Sequence, residues 1–508
     1  MELRALLTGV DTPSVAGDDA RRIRGIAYDS RDAGPGFLFA ALRGSTYDGH
    51  RFVGDAVSRG AVAAVVDRAV AAQNGLTVVR VADSRRALGQ MSAAFYGFPS
   101  RALRLVGVTG TNGKGATTFL IESILRRAGR RCGIIGTMGV IIDGEIEETA
   151  RTTPEAPDLQ RALRAMADLR CEWAAVEVAS HALAQERVTG CEFETGVFTN
   201  LTRDHLDFHG SMDAYRAAKS RLFAQLPRSG WAVLNADDES WPVMRAVTSA
   251  RVMTYAISEP ADVRARDIRL GLTGSEFVAE TPAGSAAISL RLAGGFNVAN
   301  ALAAMAFGVA HELPLATIAE ALAATPGIPG RFESINEGQP YAVIVDYAHT
   351  PDGLENVLRT AREVTAGRLI AVFGCGGDRD RTKRPIMGRV AADWADLVVV
   401  TSDNPRTEKP DAIIDEIRPG VDDGVRTAAA RGRRIDVRYE PDRLRAIGSA
   451  LEAATAGDLV VIAGKGHETY QEVAGVRSPF DDREVARTWL RGRGFAGRIV
   501  SNGGAPRT

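Results

Sequence analysis

The chain has 508 residues, 45% hydrophobic and 25% charged, with a formal net charge of −1 at pH 7. That length predicts about three domains, and the balanced charge argues against a nucleic-acid partner or a basic membrane-binding surface. Four widely spaced cysteines, Cys132, Cys171, Cys191 and Cys375, offer no metal-ligand pair and suit a reducing, cytoplasmic compartment.

In chain order, Met1-Glu2-Leu3-Arg4 lacks the layout of a signal peptide. A first block, residues 1–98, mixes short strands at 36–40 and 61–66 with helices. Phe98-Pro99-Ser100 reads as its linker, because proline bars helix continuation. The second block, residues 99–330, alternates strands and helices in the βαβ manner, with buried strands at 103–108, 173–178, 196–199 and 231–235. Within it, the apolar stretch 292–310 is interrupted by Asn297 and Asn300 and reads as a buried helix, not a membrane crossing.

Pro326-Gly327-Ile328-Pro329-Gly330 breaks the chain before a third block, residues 331–508, with strands at 342–345, 369–373, 397–400 and 459–462. Each strand runs into a polar cluster: Asp346 and His349, Asp378 and Arg379, Asp403 to Arg406, then Lys465 to Glu468. Open parallel sheets bind ligands just beyond the carboxyl ends of their strands, so these four clusters predict a site. The expected fold is α/β throughout, with a mixed N-terminal domain, a central P-loop-type doubly wound domain and a C-terminal Rossmann-like domain. The last dozen residues are rich in glycine and arginine and are predicted to fray.

The segment Val108-Thr109-Gly110-Thr111-Asn112-Gly113-Lys114 lies between a predicted strand and a helix on which Ala116, Phe119, Leu120, Ile124 and Leu125 recur at helical spacing. Its glycines let backbone N–H groups turn around phosphate oxygens, the helix N-terminus adds its positive dipole end, and Lys114 reaches the outer phosphates. It is not a strict P-loop, since Gly115 stands where Ser or Thr follows the lysine. Glu177 ends a buried strand and His205 sits in Asn200-Leu201-Thr202-Arg203-Asp204-His205. These two suit a divalent cation beside the phosphates, and suit equally an arginine-paired carboxylate and a hydrogen-bonded loop histidine. By its spacing alone, Lys219 is a solvated helix lysine. Asp403-Asn404-Pro405-Arg406 offers a guanidinium fork suited to a carboxylate, or is simply a turn. Gly464 to Glu468 adds backbone amides and a carboxylate that reads an amine.

Taken in one order, Gly-Thr-Asn-Gly-Lys, Asn-Leu-Thr-Arg-Asp-His-Leu-Asp-Phe-His-Gly, Ala-Ala-Lys-Ser-Arg-Leu-Phe, Gly-Arg-Phe-Glu, Asp-Tyr-Ala-His-Thr-Pro-Asp, Gly-Asp-Arg-Asp, Asp-Asn-Pro-Arg and Gly-Lys-Gly-His-Glu resemble the Mur ligase family from about Asp29 to Glu484. The resemblance is to its diaminopimelate-adding branch. It implies an ATP-dependent amide ligase of peptidoglycan precursor synthesis, acting on UDP-N-acetylmuramoyl-L-alanyl-D-glutamate through an acyl phosphate. It also implies a cytoplasmic monomer with small-molecule substrates, no nucleic acid and no membrane insertion. ATP would lie on residues 110 to 116 (Gly110, Thr111, Asn112, Gly113, Lys114, Gly115 and Ala116) and on Asn300, Arg331, Asp346 and His349. Ser30 would hold the uridine diphosphate, and Thr152, Thr153, Gln185 and Arg187 the muramoyl-dipeptide; Ser45-Thr46-Tyr47 matches the family less well. Arg379, Asp403, Asn404, Pro405, Arg406, Gly464 and Glu468 would receive diaminopimelate. Lys114, Lys219, His205 and Glu177 would be catalytic. Lys219, carboxylated by carbon dioxide to a carbamate, would hold magnesium with Glu177 and His205.

Two departures from the family pattern stand out. Gly115-Ala116 replaces a Thr-Thr pair, removing a magnesium-ligating hydroxyl, and Ala179 replaces a serine of Glu-Val-Ser-Ser-His. They keep open a weakly active or non-catalytic nucleotide-binding homologue or a specialised-pathway ligase; separate rivals are a lysine-adding ligase and, because it uses the same central domain, a folate polyglutamate synthetase. The first-domain motif and Asp403 to Arg406 argue against the last.

Overall fold

The computed structural model describes residues 1–44, 47–271 and 274–495. The predicted frayed tail, and Ser45 and Thr46 of the first-domain loop, lie outside the described residues. Three main sheets organise the rest. The N-terminal sheet runs Ser14–Ala16, Thr77–Arg80, Ala63–Val66, Phe37–Ala40, Gly25–Ala27, parallel except for its first strand.

The central sheet has seven parallel strands in the order Val263–Gly271, Arg251–Ala256, Trp231–Asn235, Phe193–Phe198, Arg104–Thr109, Trp173–Glu177, Cys132–Gly136. Arg104–Thr109 is buried at every position after the first, as a parallel strand covered on both faces must be. Its alternating side chains feed two cores. Val106 and Val108 pack with Leu120 and Ile124 of the helix Lys114–Arg127 and with Leu302 of Gly295–Ala310, while Leu105 packs with Leu163, Val176 and Leu222 on the other face. The predicted buried helix is therefore present. No helix among the described residues is long and apolar enough to cross a membrane.

Antiparallel strands extend both edges of this sheet: Gly139–Ile142 and Glu145–Glu147 at one, Gly274–Thr281 and Gly284–Leu290 at the other. The sequence reading of the block as a doubly wound domain did not single them out. Glu145–Glu147 is exposed throughout, and Gly274–Thr281 and Gly284–Leu290 mix exposed polar with buried apolar positions, so these three lack the continuous apolar run that marks a buried strand; Gly139–Ile142 is apolar but only four residues long. The expected linker is also packed rather than loose. Pro99 opens a single 3-10 turn, Pro99–Arg101, with Pro99 and Ser100 buried.

The C-terminal sheet runs Glu333–Ser334, Ala342–Asp346, Leu459–Ala463, Leu369–Phe373, Leu397–Val400, Asp436–Tyr439, parallel after its first strand. The chain passes from Ala342–Asp346 to Leu369–Phe373, two positions away, and later fills the gap with Leu459–Ala463. The polar clusters read from the sequence lie just beyond these strand ends.

Candidate active site

The phosphate loop is braced by the strand beside it. Thr111 N–H donates to Asn200 O at 2.8 Å, Asn112 N–H donates to Asn200 Oδ1 at 2.9 Å, and Thr199 Oγ1 donates to Asn112 O at 2.6 Å. Gly113 has φ +83°, a left-handed conformation that favours glycine, and a Cβ there would stand 2.2 Å from Asn300 Oδ1 and push that side chain aside. The Lys114 amine donates to Gly110 O at 3.1 Å and Thr111 O at 2.9 Å, curling over the loop it serves. Burial pushes its pKa below the usual lysine range.

A cleft of about 880 Å³, counting its open mouth, separates this loop from the C-terminal sheet. Of the residues assigned to ATP, Asn112, Gly113, Gly115, Ala116 and Asn300 line it from the central domain, and Arg331, Asp346 and His349 from the other side. Asp346 is buried, its carboxylate accepting from Phe332 N–H at 2.7 Å and Ala348 N–H at 2.8 Å, and burial raises its pKa. Arg331 lies over the Tyr347 ring, 4.7 Å from its centre. Burial, then Lys383, pushes His349 down to about 4. Its ring is therefore neutral at physiological pH.

Glu177 is buried and, among the described residues, pairs with no arginine. Its carboxylate accepts from Thr137 N–H at 2.9 Å and Thr137 Oγ1 at 3.3 Å. Gly115 faces it closely, since a Cβ there would lie 3.2 Å from Glu177 Oε1. Lys219 corrects the expectation drawn from its spacing. It is 1% exposed, donates to Gly110 O at 2.6 Å and lies 4.4 Å from the centre of the Tyr215 ring. Burial, and then the Lys114 cation, push its amine well below the usual range. His205 has φ 54° and opens the short helix Leu206–His209; its Nε2 lies 3.3 Å from Asp204 Oδ2 and its ring centre 4.6 Å from that of His181. Among the described residues, no three His, Cys, Asp or Glu side chains converge as a ready metal site.

Towards the first domain, Thr152 Oγ1 lies 3.1 Å from Thr137 Oγ1, linking it to Glu177. Thr153 is spent on the backbone, donating to Glu177 O at 2.7 Å and accepting from Ala179 N–H at 3.0 Å. Arg187 donates to Thr153 O at 3.1 Å and Gln185 Oε1 at 2.5 Å, with Glu155 Oε1 3.1 Å from its Nε. Ser30 opens the 3-10 turn Ser30–Asp32, half-buried. Ala179 precedes the helix Ser180–Ala184 and leaves that N-terminus without a side-chain cap.

In the C-terminal domain, Asp403 to Arg406 and Gly464 to Glu468 come together. Asn404 Nδ2 donates to Glu468 Oε2 at 2.8 Å, and Lys465, fully buried, donates to Asn404 Oδ1 at 3.1 Å and Glu468 Oε2 at 3.0 Å. Glu468 is thus already paired. Arg406, at φ 52°, gives Nη1 to Gly377 O at 2.7 Å, while Arg379 is exposed on the neighbouring loop. Pro405 is buried behind them.

Several site residues escaped the sequence reading. Thr199, Asn200 and Asn297 line the cleft, and Asp352 braces it. A signal existed for each: Asn297 is one helical turn from Asn300, and the others fall inside or beside the motifs quoted above.

A glycine-rich phosphate loop that shares one cleft with a Rossmann-like sheet is the arrangement of a nucleotide-binding protein assembled across domains. Comparison with known proteins gives the particular family. Profiles of the Mur ligase family, catalytic domain, the Mur ligase middle domain and the Mur ligase, glutamate ligase domain match residues 22–96, 108–308 and 330–466. The chain is 46% identical over 494 residues to the UDP-N-acetylmuramoyl-L-alanyl-D-glutamate–2,6-diaminopimelate ligase of Bacillus licheniformis, covering 96% of this chain and 99% of that one. It is 48% identical over 474 residues to the ligase of the same name from Geobacillus thermodenitrificans, covering 92% and 95%. A solved structure of a ligase of that name superposes with a TM-score of 0.67 at 34% identity, covering 97% of this chain and 99% of the other. The MurF ligase of Thermotoga maritima in complex with ADP shares the fold, with a TM-score of 0.63 at 17% identity over 93% and 99% of the two chains. The chain belongs to the Mur ligase family.

Proposed function

We propose that this chain is an ATP-dependent ligase joining diaminopimelate to UDP-N-acetylmuramoyl-L-alanyl-D-glutamate in the cytoplasm, as a monomer, during peptidoglycan precursor synthesis. The observation that carries the reading is the cleft, where the phosphate loop meets Arg331, Asp346 and His349 of the domain that also bears Asp403 to Arg406. The names of relatives 46% and 48% identical over nearly the whole chain support the substrate assignment.

An oxygen of the D-glutamate γ-carboxylate attacks the γ-phosphorus of ATP, ADP leaves, and an acyl phosphate forms. Lys114 and the amides of residues 110 to 116 offset charge on the phosphoryl oxygens. The amine of diaminopimelate then attacks the acyl carbonyl, the C–O bond to phosphate breaks, and the amide forms. Arg187 and Gln185 hold the dipeptide, and Arg406 holds the distal carboxylate of the acceptor. The donor chemistry suits magnesium: Glu177 is a buried carboxylate whose hydrogen bonds come from neutral Thr137, and the buried Lys219 amine, held at Gly110 O with its basicity lowered, would add carbon dioxide. Glu177, His205 and the Lys219 carbamate would hold the metal, which supplies further charge neutralisation at the phosphates. Phosphate release measured with the UDP-muramoyl-dipeptide, ATP and a panel of amino acids tests the reading. Release with diaminopimelate alone is expected, and release with another amino acid alone overturns the acceptor assignment.

A further inference from the structure

The two acceptor loops leave strands that are not neighbours. Leu397–Val400 leads into Asp403, Leu459–Ala463 leads into Gly464, and Leu369–Phe373 lies between them in the sheet. No ladder hydrogen bond therefore sets the position of one loop against the other. A single guanidinium does span them. Arg443 donates from Nη1 to Ser402 O and from Nη2 to Ala463 O, both at 3.0 Å. Those carbonyls belong to the residues immediately before Asp403 and Gly464. The rest of the fork is held by Asp482, with Nε to Oδ1 at 2.8 Å and Nη2 to Oδ2 at 2.6 Å. Both side chains are 0% exposed.

We infer that Arg443, oriented by Asp482, is a positioning residue that fixes the distance between the two halves of the acceptor pocket. The inference rests on the ligase reading above. A fully buried ion pair is weak evidence for stability, because an apolar pair of similar volume often serves as well. What an apolar pair cannot do is hold two carbonyls at once, and a lysine has no planar fork to do so while also meeting a carboxylate at two points. The clearance between the loops is small. A Cβ on Gly464 would stand 2.8 Å from Asp403 Oδ2, so a slight shift of either strand end reshapes the pocket. Lys465, reaching Asn404 and Glu468, joins the loops further along and depends on the same alignment.

The test uses the full chain with Arg443→Lys and with the double variant Arg443→Met/Asp482→Leu, which leaves no uncompensated buried charge. In both, the KM for the acceptor amino acid should rise about tenfold or more, with the KM for ATP and for the UDP-muramoyl-dipeptide within about twofold of wild type. Dipeptide-dependent isotope exchange between ADP and ATP, which needs no acceptor, should persist. Thermal melting confirms that each variant is folded. A folded variant with an unchanged acceptor KM overturns the inference, and so does a parallel loss of acceptor, ATP and dipeptide binding. If the double variant does not fold, Arg443→Lys alone decides by the same criteria. The acceptor used is whichever amino acid the wild type takes, so failure of the diaminopimelate assignment appears in the wild type and leaves this test standing.

Discussion

Asn112, in the phosphate loop, donates its side-chain amide to Asp352 Oδ2 at 2.5 Å, joining residues 240 positions apart across the nucleotide cleft. Thr202 Oγ1, at 3.1 Å, and Asn356 Nδ2, at 3.2 Å, converge on the same oxygen. Asp352 sits in the first turn of the helix Pro351–Val364, so the contact couples the phosphate loop to the domain bearing the acceptor pocket.

Burial raises the Asp352 pKa above that of an exposed carboxylate. A folded pKa above the unfolded one means that its contribution is fully present below the unfolded value and is lost as pH rises through the folded value. Asp352→Asn keeps an oxygen for the three donors and removes the charge, so at pH 7 it should melt no lower than wild type and retain activity. Asp352→Ala leaves the donors unmatched and should cost about 1–3 kcal/mol, with a raised KM for ATP. Equal activity and melting of the two variants would show that the contact plays no part in holding the domains together.

In the proposed reading, the buried Lys219 amine takes up carbon dioxide. Lys219→Ala should nearly abolish ligation, and a short carboxylic acid added to the assay should partly restore it by replacing the carbamate anion. Near-wild-type turnover of the alanine variant would make the lysine a structural donor to Gly110 O and sink the carbamate.

In the proposed reading, Gly115 leaves unfilled the position beside Glu177 from which a hydroxyl would reach the metal. Thr118 does not fill it, because its Oγ1 donates to Gly115 O at 2.8 Å, while Thr117 Oγ1 is buried without a partner. Gly115→Thr should lower the magnesium concentration needed for half-maximal activity, the added contact being worth roughly 1.5–3 kcal/mol. Its Cβ contact with Glu177 Oε1 at 3.2 Å is tight for any side chain, so Gly115→Ser, which adds the hydroxyl without the γ-methyl, is the companion variant. An unchanged magnesium dependence in both would show that the position is already served.

Arg406 has one nitrogen committed to Gly377 O; in the proposed reading the rest of its fork meets the distal carboxylate that distinguishes diaminopimelate from lysine. Arg406→Ala should raise the KM for diaminopimelate by the equivalent of about 2–5 kcal/mol, leave that for ATP nearly unchanged and erase discrimination against lysine. Wild-type enzyme that uses lysine as well as diaminopimelate would refute the pocket assignment.

Hydrogen bonds from Arg384 hold Glu408 down to about 2, and Glu408 in turn accepts from Asp378 N–H at 2.6 Å beside the acceptor loop. A depressed carboxylate stabilises above its unfolded pKa and loses that effect as pH falls through the folded value. The melting gap between wild type and Glu408→Gln should therefore be open at pH 7 and close between about pH 4.5 and about 2. A gap that does not narrow on acidification would show that the ion pair contributes nothing.

The sequence alone determined the strand–loop–helix of the phosphate loop, the three α/β blocks and the four polar clusters at strand ends. Each is a local matter, since apolar runs, glycine turns and helical spacing report on neighbours within a dozen residues. The motifs in their order were enough to identify the family. Other features needed the tertiary structure. Lys219 is on a helix whose spacing looks solvated, and only packing against Tyr215 and Gly110 buries its amine. The antiparallel strands Gly274–Thr281 and Gly284–Leu290 at the edge of the central sheet mix exposed polar with buried apolar positions and carry little apolar signal. Asp352 and Arg443 act across 240 residues and across a sheet position, distances over which a linear pattern carries no geometry. Burial and long-range hydrogen bonding belong to the folded chain, and they turn the lysine, the aspartate and the arginine from ordinary charges into parts of a site.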